Sequence, residues 1–148
     1  MDAQLGTYAK IDTLGMSQLE LILKVYDGAM KAFTAARDHY RNERLQDGYD
    51  ELEKGKRFIT HLYTTLDFEQ GGEVARNLGK MYAFIVNEID VIAGTKSQER
   101  LESILTMLGN MRAGWSVLRD EDKNDDTSNP TRLAPEDKAT GDVFLTTA

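Results

Sequence analysis

The middle of the chain reads Leu66-Asp67-Phe68-Glu69-Gln70-Gly71-Gly72-Glu73-Val74-Ala75-Arg76-Asn77-Leu78, and long helical patterns stand on both sides of it. The pair Gly71-Gly72 is the strongest helix breaker between residues 17 and 121, because glycine adopts positive φ at little cost and weakens a helix. Asp67 precedes the pair as a candidate cap, and Glu73 follows it as an acid suited to the first turn of a helix. The stretch therefore predicts the central turn of a helical bundle.

Four stripes of apolar residues at helical spacing lie along the chain, two before this turn and two after it. They predict helices over residues 17–42, 45–66, 73–93 and 97–121. Short connections between neighbouring helices favour an all-α fold, an antiparallel up-down-up-down four-helix bundle. The predicted core stripe of the second helix includes Leu45, Tyr49 and Tyr63.

Capping signals and composition mark the predicted boundaries. Ser17 and Glu20 form an S-x-x-E capping box at the start of the first helix, and Thr95 with Gln98 suggests a second box before the fourth. Residues 1–16 are predicted to be an N-terminal leader. Residues 122–148 are polar and acidic, and they are predicted to be a disordered tail after the 17–121 bundle domain.

Composition narrows the class of function. The chain has 148 residues, 41% of them apolar, and no cysteine, so one domain without disulfides is expected. No apolar run has membrane-spanning length, and no signal peptide is expected, which is compatible with a cytoplasmic location. The net charge of −7 disfavours nucleic acid and anionic membranes as partners.

The two histidines do not match the catalytic patterns known for helical bundles. A di-iron centre needs inward Glu-x-x-His pairs, whereas Ala36 and Phe58 precede His39 and His61 at that spacing. Neither histidine has the surroundings of a phosphotransfer site, and Gly71-Gly72 lacks the lysine of a phosphate-binding loop. We therefore predict no enzymatic activity, no metal and no cofactor.

Several apolar residues lie just beside the predicted core stripes. They are Leu21, Val25, Phe58, Phe84, Val91 and Met107, the last of them near a bare position at Gly114. An exposed apolar flank usually marks a binding surface. Spacing alone leaves a second interpretation equally open, in which these residues belong to a wide stripe that the leader or the tail buries.

Three stretches resemble the FliS-type flagellar secretion chaperones. Residues 66–78 match a family signature, residues 21–30 resemble its L-x-x-x-L-Y-D-G-A stretch, and residues 108–115 resemble its L-x-x-L-R-x-x-W pattern. Tyr8 stands before Ser17 as the family's leader tyrosine stands before its T-A-S-P motif, of which only the serine survives here. The resemblance covers residues 8–119 and carries nothing over onto the tail.

The resemblance implies a cytoplasmic chaperone for flagellin. Such a protein binds the C-terminal segment of flagellin, prevents premature polymerisation and delivers the subunit to the flagellar type III export gate, as a monomer with one client and in some cases with a co-chaperone. We predict that the client contacts the apolar flank, with Tyr8 in the leader: Tyr8, Leu21, Val25, Phe58, Phe84, Val91, Met107 and Gly114. An adaptor for another helical client and a bundle enzyme or phosphorelay module are the alternatives.

Overall fold

The computed structural model describes residues 17–128. These residues form four α-helices: α1 (Gln18–Arg41), α2 (Leu45–Thr64), α3 (Phe68–Thr95) and α4 (Gln98–Ser128). The described range contains no β-strand. The predicted all-α fold is therefore confirmed.

The helices pack as a ring around one core. α1 contacts α2 and α4, and α3 contacts α2 and α4, so α1 faces α3 across the core and α2 faces α4. The contact between α1 and α2 is the most extensive of the four, and that between α3 and α4 is the least extensive. The largest fully buried side chains are those of Trp115, Tyr26, Tyr82 and Phe33. The predicted four-helix bundle is confirmed.

The start of α1 follows from its capping box. The backbone N–H of Glu20 donates to Ser17 Oγ over 3.1 Å, and the backbone N–H of Ser17 donates to Glu20 Oε1 over 3.3 Å. Together these bonds satisfy two N–H groups that have no partner within the helix. The predicted box is confirmed.

The start of α3 differs from the prediction. The helix begins at Phe68, five residues before the predicted start at residue 73, and Gly72 forms a kink inside it with φ 53° and ψ −126°. The connection from α2 is only Thr65-Leu66-Asp67. Because Asp67 accepts the N–H of Gln70 over 3.0 Å, a helical turn already forms ahead of the glycine pair.

The start of α4 agrees with the prediction, but its cap differs from the predicted box. Thr95 does not cap it, because its hydroxyl donates to the carbonyl of Val91 within α3. Ser97 takes the capping role by accepting the N–H of Arg100 over 3.1 Å.

The end of α4 lies beyond the prediction. The helix runs to Ser128 rather than ending at residue 121, so the segment that is predicted to be a disordered tail begins as helix. Extending an existing helix avoids the unfavourable nucleation step, and no proline stands before Pro130 to end it.

Aromatic rings and glycines interlock α1 with α2. Each ring lies against a glycine of the other helix: Phe33 against Gly55, Tyr40 against Gly48, and Phe58 against Gly28. A Cβ atom on Gly55 would lie 2.3 Å from the ring of Phe33, closer than real Cβ contacts come. Gly55 therefore allows a tight helix crossing, and Gly28 serves the same close packing.

Candidate functional site

The central turn packs the first helical turn of α3 against a later part of the same helix. Leu66 is buried at 9% exposure, and the glycine at position 71 is buried as well. The kink at Gly72 turns the first helical turn back, which brings the ring of Phe68 over Gly79, 3.3 Å from where a Cβ would stand. Gly72 is in a backbone region that L side chains rarely adopt, which explains the glycine at this position.

The flank between α3 and α4 carries two of the predicted contact residues on α3. Phe84 is 52% exposed and Val91 is 39% exposed. They stand seven residues apart and so share one face of α3. Glu88 lies between them on that face and accepts a hydrogen bond of 2.8 Å from Arg100 of α4. That bond places Phe84 and Val91 on the side of α3 that is turned toward α4.

The same flank includes the two predicted residues of α4. Met107 and Gly114 follow Arg100 at intervals of seven residues, so they lie on the edge of α4 that faces α3. Met107 is half-buried and packs against the core, and Gly114 is half-buried. We define the α3–α4 flank as Phe84, Val91, Met107 and Gly114.

The other predicted contact residues lie between α1 and α2. The ring of Phe58 covers Gly28, which stands on the face of α1 that also holds Leu21 and Val25. All three apolar side chains are half-buried, and Val25 and Phe58 pack against the core. We define the α1–α2 flank as Leu21, Val25 and Phe58.

The predicted single flank is therefore divided in two. The α1–α2 edge and the α3–α4 edge lie on opposite sides of the ring of helices. One straight groove cannot contain all of these residues. Periodicity identifies the residues beside a core stripe, but it does not say which neighbouring helix each of them faces. Tyr8 lies outside the described residues.

A third apolar surface was missed in the sequence. The predicted core stripe of the second helix includes Leu45, Tyr49 and Tyr63, yet these side chains are 51%, 43% and 41% exposed. Lys56 stands midway between the two tyrosines at a spacing of seven and bonds Asp90 of α3 over 3.0 Å. Because lysine is rarely buried, Lys56 between the two tyrosines indicates that this edge of α2 faces solvent.

Ion pairs connect the neighbouring helices. Arg112 of α4 donates to Asp27 of α1 over 2.6 Å, which raises the pKa of the guanidinium. The hydrogen bond to Asp90 likewise raises the pKa of Lys56. Exposed pairs of this kind contribute up to about 1 kcal/mol each. Their contribution to the stability of the bundle is therefore small.

Two other kinds of site are absent from residues 17–128. Within this range, no three side chains of His, Cys, Asp or Glu come together as a metal ion would require. None of the helices in the range combines the length and the apolar character needed to cross a membrane.

Comparisons with known proteins agree with the fold and with the motifs. The family described as "Flagellar protein FliS" matches residues 1–122. The flagellar secretion chaperone FliS of Campylobacter jejuni is 22% identical over 72% of this chain and 83% of its own length. The corresponding protein of Salmonella typhimurium is 26% identical over 71% of this chain and 78% of its own. The chain therefore belongs to the FliS family of flagellar proteins, as its central stretch predicted.

Proposed function

We propose that this chain is a cytoplasmic export chaperone that binds the C-terminal segment of flagellin. In this role it prevents premature polymerisation and delivers the subunit to the flagellar type III export apparatus. It acts as a monomer with one client, without catalysis or a cofactor. Membership of the FliS family supports the general role, and the apolar flanks support binding of a helical client.

The observation that carries the proposal is the exposure of Phe84 on the α3–α4 flank. A phenylalanine that is 52% exposed contributes little to the core, whereas an aromatic side chain is a typical anchor at a protein interface. Val91 extends the apolar face by two turns, and Met107 offers a flexible side chain that adapts to a partner. An amphipathic helix docks through anchors at such spacing.

The separation of the two flanks bears on the shape of the client. A segment that orders on binding must bury much apolar surface to offset its loss of entropy. A client that contacts both flanks has to pass around an end of the bundle, because the edges face opposite directions. A long extended segment with more than one helix meets this requirement, and a single short helix does not.

The test compares full-length flagellin with flagellin that lacks its C-terminal segment. Isothermal titration should show a 1:1 complex with the full-length protein and no complex with the truncated one. Phe84→Ala should weaken the complex. Val117→Ala is the matched control, since Val117 is also exposed, at 56%. Val117 stands two residues after the buried Trp115, so it lies on the outer face of α4. Equal binding of both flagellins would contradict the proposal.

A further inference from the structure

An exposed aromatic surface lies between α2 and α3, outside both flanks. The rings of Tyr63 and Phe68 meet edge to face, with centroids 6.5 Å apart, and they are 41% and 44% exposed. Phe68 covers Gly79. Ala83, exposed on α3, lies one turn beyond that glycine. We define the aromatic surface as Tyr63, Phe68, Gly79 and Ala83.

The ion pair between Lys56 and Asp90 fixes the position of Ala83. Tyr63 follows Lys56 by seven residues and Ala83 precedes Asp90 by seven, and the two helices are antiparallel. Equal steps of two turns along antiparallel helices keep both residues on the same edge and at the same level. Ala83 therefore lies beside Tyr63 on this edge, and its small side chain is exposed.

The end of α4 lies near this surface. In the antiparallel bundle the end of α2, the start of α3 and the end of α4 share one end. Arg112 is level with Asp27, so α4 passes the start of α1 at about residue 121 and continues to Ser128. Those further residues extend about 10 Å beyond the bundle.

We propose that the segment Val143-Phe144-Leu145 of the same chain docks on the aromatic surface. These residues form the last apolar group of the sequence and lie outside the described range. Three consecutive apolar residues suit a surface that two rings and an alanine provide. Covering it removes exposed apolar area that otherwise promotes unspecific association.

The length of the connection permits this contact. Fourteen residues lie between Ser128 and Val143. They span up to about 50 Å when extended. The path back along the protruding end of α4 and across a bundle about 20 Å wide is shorter than that.

Charge favours the same occupant. Lys80 is exposed and lies one turn before Ala83 on α3. Asp142 directly precedes the apolar group and supplies the opposite charge. A tethered segment also has an effective concentration in the millimolar range, which a second copy of the chain does not reach in dilute solution.

The absence of cysteine makes a direct test possible, because an engineered pair has no competing thiol. Ala83→Cys combined with Leu145→Cys should form a cross-link within one molecule under mild oxidation at low protein concentration. The control pair is Asn110→Cys with Leu145→Cys. Asn110 is exposed and nearer to the end of α4 along the helix, so an undocked tail would reach it more often. We expect the pair that includes Ala83→Cys to cross-link about tenfold faster than the control pair.

A third variant connects the reaction to the apolar contact. Adding Phe144→Ser to the variant with Ala83→Cys and Leu145→Cys should reduce its rate of cross-linking to that of the control pair. Equal rates for the two pairs, or no effect of Phe144→Ser, would overturn the proposal. Cross-links that join two molecules would overturn it in favour of a second copy as the occupant. Circular dichroism of each variant verifies that the bundle is folded.

Discussion

The hydroxyl groups of Tyr26 and Tyr82 lie 2.5 Å apart in the centre of the bundle, where both side chains are fully buried. Their hydrogen bond joins α1 to α3 across the core. The indole N–H of Trp115 in α4 donates to the oxygen of Tyr26 over 3.3 Å, so three helices meet at one buried polar cluster. Most buried hydroxyls in proteins have such partners, and the cluster constrains how the helices align.

The first prediction concerns alkaline stability. Burial, and then the neighbouring Tyr82, raises the pKa of Tyr26 well above its ordinary value of 10.0. The folded state thus holds this proton more tightly than the unfolded state. The stabilisation is fully present below pH 10.0 and is lost as the pH rises through the folded pKa. Urea unfolding of Tyr26→Phe should show a shallower loss of unfolding free energy above pH 10.0 than the unchanged chain.

The control for this measurement is Tyr63→Phe, which removes a tyrosine hydroxyl from an exposed position instead of a buried one. At neutral pH, Tyr26→Phe should lower the unfolding free energy by about 1 kcal/mol through its lost hydrogen bonds. Identical pH dependence for Tyr26→Phe and the unchanged chain would show that the Tyr26 proton is not linked to folding.

The second prediction concerns the kink in α3. Gly72→Ala places a side chain at φ 53° and should lower the unfolding free energy by about 1–3 kcal/mol. Gly94→Ala is the matched control, because Gly94 lies in the same helix with open space around its Cβ position and no positive φ. That variant should be neutral or more stable by up to about 1 kcal/mol. Thermal melting of both variants measures the difference, and equal effects would contradict a special role of Gly72.

The third prediction concerns the interlock between α1 and α2. Gly55→Ala should lower the unfolding free energy by about 1–3 kcal/mol, because the new Cβ overlaps the ring of Phe33. Phe33→Leu should also destabilise the core. Combined, the two changes should lower stability by less than the sum of their separate effects, since the smaller side chain relieves the overlap. Additive effects in denaturant unfolding would refute the contact as the cause.

The fourth prediction separates the two flanks by their effect on stability. Phe84→Ala should leave the melting temperature nearly unchanged, because the ring is 52% exposed. Its complex with flagellin should weaken by about 2 kcal/mol, roughly thirtyfold. Phe58→Ala should lower the melting temperature, because that ring packs between α2 and Gly28. A large loss of stability in Phe84→Ala with binding retained would place Phe84 in the core instead.

The fifth prediction concerns the leader. Leu5, Tyr8 and Ile11 are apolar points in this segment, and burial of one such side chain is worth roughly 1.5–3 kcal/mol. We predict that the segment packs on the bundle without a client and moves when one binds. Deletion of residues 1–12 should therefore change the affinity for flagellin in a titration. An unchanged affinity would count against competition between leader and client.

Periodicity predicted which residues form helices and most of what lies in the core. Tyr26, Leu108 and Ile85 belong to the apolar stripes at helical spacing, and all three are buried. Local signals also located Ser17 as the first cap, since a capping box involves residues only three positions apart. The central stretch identified the family through contiguous residues. Each of these properties depends on a short length of chain, which explains why the sequence alone was sufficient.

The positions of the surfaces depended on the tertiary structure. Phe58 and Phe84 both stand beside the apolar stripe of their own helix. Phe58 fills the space above Gly28, whereas Phe84 extends into solvent. Tyr63 has core spacing but lies at an exposed edge beside Phe68. A helical repeat determines the direction of a side chain relative to its own axis. Whether that direction meets another helix or solvent depends on the order of the helices around the core, and this order is decided only when residues distant in sequence pack together.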